Sequence, residues 1–161
     1  MCFSKKNGDG LKIAENPIIC YKYLYKTEQF EKYKNKKDEF VSPFHTFFWK
    51  IGKQYSSGFK NSQIVEFKNS VIYNKNLFSA FLKKPKHPLI LDGYLCICII
   101  PKNSLYLVSS NNELVTSNLI IVKIIENGRN TSEGKEERLK NESIENNKQK
   151  RKKKWKNFIL F

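Results

Sequence analysis

The stretch from Tyr94 to Ile125 constrains the fold more than any other part of this 161-residue chain. Tyr94-Leu95-Cys96-Ile97-Cys98-Ile99-Ile100 is an apolar run that Pro101 stops. Ser104–Val108 is a second run, and the polar turn Ser109-Ser110-Asn111-Asn112 follows it. Leu114–Thr116 and Leu119–Ile125 read as a closing pair. Short β-branched and aromatic runs between turn residues are strands, and links this short join antiparallel neighbours. Leu119–Ile125 is apolar on both faces apart from Lys123, which predicts a central or nearly central strand.

Earlier in the chain, Ile18-Ile19-Cys20-Tyr21-Lys22-Tyr23-Leu24 is a strand whose start is set by Pro17. Thr27 is a candidate cap for a short helix running to about Lys36, with Phe30 and Tyr33 on one face. Phe44, Phe47, Phe48, Trp49 and Tyr55 form an aromatic cluster broken by turn signals at Gly52-Lys53 and Ser56-Ser57-Gly58. Residues 63–67 and 71–73 are candidate short strands. Leu77, Phe78, Phe81 and Leu82 repeat at helical spacing, with Asn76 as a cap and Pro85 and Pro88 as stops. The expected fold is α+β, a small antiparallel sheet of about five to six strands with two short helices. Residues 1–126 form a compact body, opened by a loose arm over residues 1–12. Residues 127–161 form a basic, partly disordered C-terminal extension.

The charge is +15 and is shared unevenly. Residues 1–126 carry 19 Lys and Arg against 10 Asp and Glu; residues 127–161 carry 11 against 5. Seven of the nine residues from Lys148 to Lys156 are cationic, and Phe158-Ile159-Leu160-Phe161 follows. A field of this sign draws in polyanions, whether RNA, another nucleic acid or an acidic partner, and less readily an anionic membrane surface. Between Asn127 and Gln149 the only aliphatic anchors are Leu139 and Ile144, five apart, which makes no helical stripe. Lys outnumbers Arg 27 to 3, and Asn (17) and Ile (16) are abundant too, as A/T-rich codons would give. Readers of base edges rely on the planar fork of Arg, so few arginines argue against sequence-specific readout.

The sequence offers little catalytic or metal chemistry. Cys2, Cys20, Cys96 and Cys98 make no framework, and a single C-x-C without nearby histidines does not point to zinc. Buried free thiols are the expectation, in a reducing cytoplasm, with no signal peptide, no membrane span and no cofactor. His45 and His87 have no carboxylate at a telling spacing. Gly52-Lys53 lacks the glycine-rich run of a phosphate loop. Aromatic residues interleaved with cations are better candidates for stacking on single-stranded nucleic acid or docking on a partner. Those residues are Lys22, Tyr25, Lys26, Lys50, Lys53 and Tyr55 in the body. In the extension they are Lys150, Arg151, Lys152, Lys153, Lys154, Trp155 and Lys156. Core packing competes for most of the rings.

Three stretches carry a resemblance. They are Ile19–Leu24, then Ser42-Pro43-Phe44 with Trp49, Gly52-Lys53 and Tyr55. The third is Cys98–Tyr106 with Glu113–Ile121. Together they resemble a group of small phage and mobile-element proteins with a "CYK" strand, an "SPF…W…GK.Y" segment and an "IPKGS.YY…E.VS..I.I" hairpin. The resemblance covers about residues 13–125 and omits the tail. Asn103 stands where the group has a turn glycine, and Leu77-Phe78-Ser79-Ala80-Phe81 lacks the group's mid-chain histidine. Phage-borne proteins of this size are often inhibitors of host defences. The composition also resembles that of A/T-rich anaerobes whose prophages encode anti-CRISPR inhibitors of the RNA-guided ribonuclease Cas13a. The resemblance thus implies a non-enzymatic inhibitor that binds a host defence protein or nucleoprotein in the bacterial cytoplasm.

An enzyme of a different class also fits the residue order. ADP-ribosyltransferases build a split β-sheet with an aromatic or basic residue on an early strand, a Ser-Thr-Ser strand in mid-chain and a late catalytic Glu. Tyr21-Lys22, Ser79 and Glu113 can be set in that order, without the Ser-Thr-Ser and with Asn111-Asn112-Glu113 in place of Glu-x-Glu; Glu113 reads more simply as a turn residue at a hairpin. A plain basic nucleic-acid-binding protein is the third expectation.

Overall fold

The computed structural model describes residues 11–36, 39–44, 46–59, 77–87 and 90–159. The chain is α+β, with a ten-stranded antiparallel sheet and one long C-terminal helix. The strands are β1 (Lys12–Ile13), β2 (Ile18–Lys26), β3 (Phe40–Val41), β4 (Phe48–Trp49), β5 (Gln54–Ser56), β6 (Phe78–Phe81), β7 (Tyr94–Ile100), β8 (Leu105–Val108), β9 (Glu113–Thr116) and β10 (Asn118–Asn127). The main order is β1-β8-β9-β6-β2-β7-β10-β5, and β3 and β4 form a small ribbon on the end of β2. The helix α1 spans Ser132–Ile159.

The long strands follow from their residues. β2 and β7 are runs of Ile, Tyr, Cys and Leu that pair over seven residues, Ile18↔Ile100 to Leu24↔Tyr94. Cys20, Leu24, Cys96, Cys98 and Ile100 turn to one face and form a core with Ala80, Leu114, Leu119 and Ile121. Trp49 caps that face from β4, almost wholly buried, its indole N–H donating to Ser42 Oγ at 2.8 Å. A smaller core of Leu77, Leu107 and Val115, joined by Leu11 and Phe59, lies elsewhere in the sheet. Asn103 takes a left-handed φ of 69°, as its place in the turn before β8 requires.

Four expectations change. The sheet has ten strands where five to six were expected, because β1, β3, β4 and β5 are two- or three-residue strands too short to show a periodicity. The helix expected over Leu77–Leu82 is strand β6, whose register to β9 runs Phe78↔Thr116 to Phe81↔Glu113. An apolar spacing of three and four was satisfied here by packing on both faces of a sheet. The helix expected from Thr27 is two 3₁₀ turns, Thr27–Gln29 and Glu31–Tyr33. Thr27 is buried and its hydroxyl is turned to the carbonyls of Lys36 and Glu39, so it clamps a loop instead of capping a helix. β10 is not central: among the described residues, only the three-residue β5 and a bridge at Ile51↔Ile121 lie outside it. The candidate strands at 63–67 and 71–73 fall outside the described residues.

Candidate functional site: an opened seam in the sheet

The sheet is nearly divided between β2 and β6. These neighbours share one residue pair, Tyr21↔Phe81, where β2 and β7 share seven. Beyond that pair the ladder stops, and the freed carbonyl of Ser79 accepts a hydrogen bond from Lys22 Nζ at 2.6 Å. Lys22 is only 8 % exposed, its ammonium 5.8 Å from the Trp49 ring centroid. Burial pushes its pKa down, and the neighbouring Cys98, Cys20 and Cys96 act weakly the other way. Aromatic packing bridges the two halves on this side: the Phe47 and Trp49 ring centroids lie 5.1 and 4.8 Å from that of Phe78, and both rings meet Tyr55 edge to face.

The opposite face of the seam carries a different set. Tyr21 faces Phe81 and Phe81 faces Glu113, so the three lie in one row across β2, β6 and β9. Directly opposed residues project to the same side, and Tyr23 and Ser79, two positions along, project there too. Tyr21, Ser79, Phe81 and Glu113 are all half-buried. Two interstrand spacings put Tyr21 and Glu113 about 10 Å apart at their backbones. Tyr23 meets Phe81 edge to face at 6.4 Å. Further along this face of β2, Tyr25 lines an open groove of about 330 Å³ with Phe30, Tyr33 and Phe44. The groove wall is a chain of edge-on rings, Tyr25–Phe30 at 5.3 Å and Phe30–Tyr33 at 5.8 Å.

The expected binding residues are dispersed. Lys22 is interior. Lys26 pairs with Glu133 at 2.9 Å and lies 4.5 Å above the Tyr94 ring. Lys50 pairs with Glu39 at 3.2 Å, and Lys53 sits 5.1 Å from the ring of Tyr55. Tyr55 accepts from the Lys50 amide at 2.9 Å, which gathers Lys50, Lys53 and Tyr55 at the turn that leads from β4 to β5. Lys150, Arg151, Lys152, Lys153, Lys154, Trp155 and Lys156 are exposed on α1. Their run starts at Lys148, about 24 Å along the helix from Ser132.

Cys20, Cys96 and Cys98 are free and buried. Burial, reinforced by Cys98, pushes the Cys96 thiol up to about 12, and the hydrogen bond with Cys20 raises Cys98 well above its usual range. The thiols of Cys96 and Cys98 therefore stay protonated and unreactive. Among the described residues no cluster of His, Cys, Asp and Glu is arranged to hold a metal, and no helix is long and apolar enough to cross a membrane. Cys2 and His45 lie outside the described residues, and His87 is exposed. Sequence reasoning missed Phe81 at the seam, because the helical reading of Leu77–Leu82 hid the strand that presents it. No protein-family model, curated protein or solved structure matches the chain.

Proposed function

We propose that the body is an ADP-ribosyltransferase-type scaffold that takes NAD at the opened seam and transfers its ADP-ribose to a host acceptor. One observation carries this reading. Tyr21, Ser79 and Glu113, which follow the order of that enzyme class along the chain, share one face of three adjacent strands beside a split in the sheet. The likeness rests on this local geometry alone.

The chemistry suits the residues. Cleaving the bond between nicotinamide and ribose builds positive charge on the sugar, and a fixed carboxylate stabilises such an oxocarbenium-like state. Glu113, at the start of β9, is the one carboxylate that strand carries. Nicotinamide leaves as a neutral base with the bonding electrons. The acceptor's nitrogen or oxygen forms the new bond to the sugar and gives up one proton to Glu113 or water. Ser79 offers a hydroxyl to orient the nucleotide, and Tyr21 and Phe81, the latter backed by the buried Tyr23, offer ring faces and edges to the nicotinamide. Asn111 stands where the class has its first Glu, so this end of β9 works with a single carboxylate.

The test is transfer of label from adenylate-labelled NAD to macromolecules of a host lysate, with nicotinamide release followed in parallel. The wild-type chain transfers or releases, and Glu113→Gln lowers the rate by about 10²-fold with the fold intact. A wild-type protein that does neither, at millimolar NAD, overturns the reading.

A second reading is favoured by α1, which is exposed along nearly all its length. In that reading the protein is a non-enzymatic inhibitor that clamps a host nucleoprotein effector, as the phage-protein resemblance implies. It predicts a stable complex on size exclusion and no added mass on the effector.

A further inference from the structure

The C-terminal half of α1 has a charge distribution that selects its ligand by shape. All side chains from Lys148 to Phe158 are exposed. At about 100° per residue, Lys148, Arg151 and Lys152 fall on the side that bears Trp155, while Lys150, Lys153 and Lys154 fall on the opposite side. The cations therefore encircle the helix. A flat anionic surface, whether membrane or protein, neutralises one side and leaves the other in solvent. A helix built to lie on a membrane gathers its apolar residues on one face and its cations on the other. Here Trp155 and Phe158, 68 % and 80 % exposed, share their sector with Arg151 and Lys152.

A ring of positive charge is satisfied by a ligand that presents phosphates on two sides at once. A duplex groove does so, with a backbone on each wall. An α-helix with side chains is about 10–12 Å across, and the B-DNA major groove is about 12 Å wide. The A-form RNA major groove is too narrow and deep to admit side chains. The free helix also carries a standing strain that such a ligand removes. Lys148–Lys152, Lys150–Lys154 and Lys152–Lys156 are like-charge pairs one turn apart, each mildly unfavourable.

We propose that the Lys148–Phe158 segment of α1 is a sequence-independent docking element for double-stranded DNA, seated in the major groove. With one arginine in the run, it reads phosphate and not base edges. This stands on the helix alone and is independent of the NAD reading.

The test uses the full chain and a short fluorescein-labelled DNA duplex of mixed sequence, followed by anisotropy across a salt series. Competitors are the matching RNA duplex, single-stranded DNA and phosphatidylserine vesicles. The slope of log affinity against log salt should approach about −6 if all seven cations engage. Two triple variants decide between groove and flat surface: K148Q/R151Q/K152Q and K150Q/K153Q/K154Q. Each should lower the slope magnitude by about 2.7 and weaken binding near 0.1 M salt on the order of a hundredfold. Helicity by circular dichroism should rise when DNA is added. Equal helicity of the free variants excludes simple unfolding. Binding lost in one triple and kept in the other overturns the groove assignment. Preference for RNA, single strands or vesicles overturns duplex DNA, and no binding at low salt overturns docking altogether.

Discussion

Alternation along β2 decides the fate of Lys22. Cys20, Lys22 and Leu24 share the core face, so the cation goes inside, and the opened ladder gives it the Ser79 carbonyl. In the sequence this lysine looked like Lys26, each a cation that follows a tyrosine, and only the pairing of strands separates them. Because burial lowers the Lys22 pKa, the unfolded chain holds its proton to higher pH than the folded one. Stability therefore rises as pH climbs through the lowered value toward the ordinary lysine range. Thermal melts from neutral pH upward should show this rise in the wild type and lose it in Lys22→Met. Lys22→Ala, which leaves a cavity and an orphaned carbonyl, should cost about 2–4 kcal/mol by urea unfolding. The order Tyr21, Ser79, Glu113 was legible in the sequence. Their common face was not, since it depends on a long-range register that no local pattern encodes.

At the scale of elements, the junction between β10 and α1 is the most tightly specified. A Cβ on Gly128 would lie 2.3 Å from the Leu91 carbonyl oxygen and 2.5 Å from that of Gly93, both backbone atoms that cannot yield. Thr131 caps the helix: its Oγ1 accepts from the Gly134 amide at 2.9 Å and donates to the Gly128 carbonyl at 2.8 Å. Glu133 sits in the first turn, where its charge favours the helix dipole, and takes the ammonium of Lys26. Gly128→Ala should destabilise by about 1–3 kcal/mol and Thr131→Ala by about 1 kcal/mol, read from chemical denaturation. The hydrogen bond from Lys26 lowers the Glu133 pKa. Its contribution is thus present above the ordinary carboxylate range and lost as pH falls through the lowered value. Amides 132–136 should exchange faster in acid as a result, with the sheet still protected. The helix itself was hidden in the sequence because it has no apolar stripe. The helix dipole favours it at its ends only, through Glu133 in the first turn and Lys156 in the last.

For the whole molecule, the sheet exceeded expectation because β1, β3, β4 and β5 have two or three residues each. Strands that short carry no periodicity, and only the longer ones they pair with define them. The strong runs from Tyr94 onward were legible, with boundaries within a few residues. Every residue from Lys135 to Phe158 is exposed, so the body does not lean on the helix beyond its first turn. A chain ending at Lys140 should keep its melting temperature to within about 4 °C, a change of under roughly 1 kcal/mol, and lose DNA affinity. That division leaves the opened seam as the centre of the account. Amide shifts on titrating NAD into the isotopically labelled full chain test it most directly. The account predicts saturable shifts at Tyr21, Tyr23, Ser79, Phe81 and Glu113, with Lys150–Lys156 unmoved. No shifts at millimolar NAD, or shifts confined to α1, would contradict it.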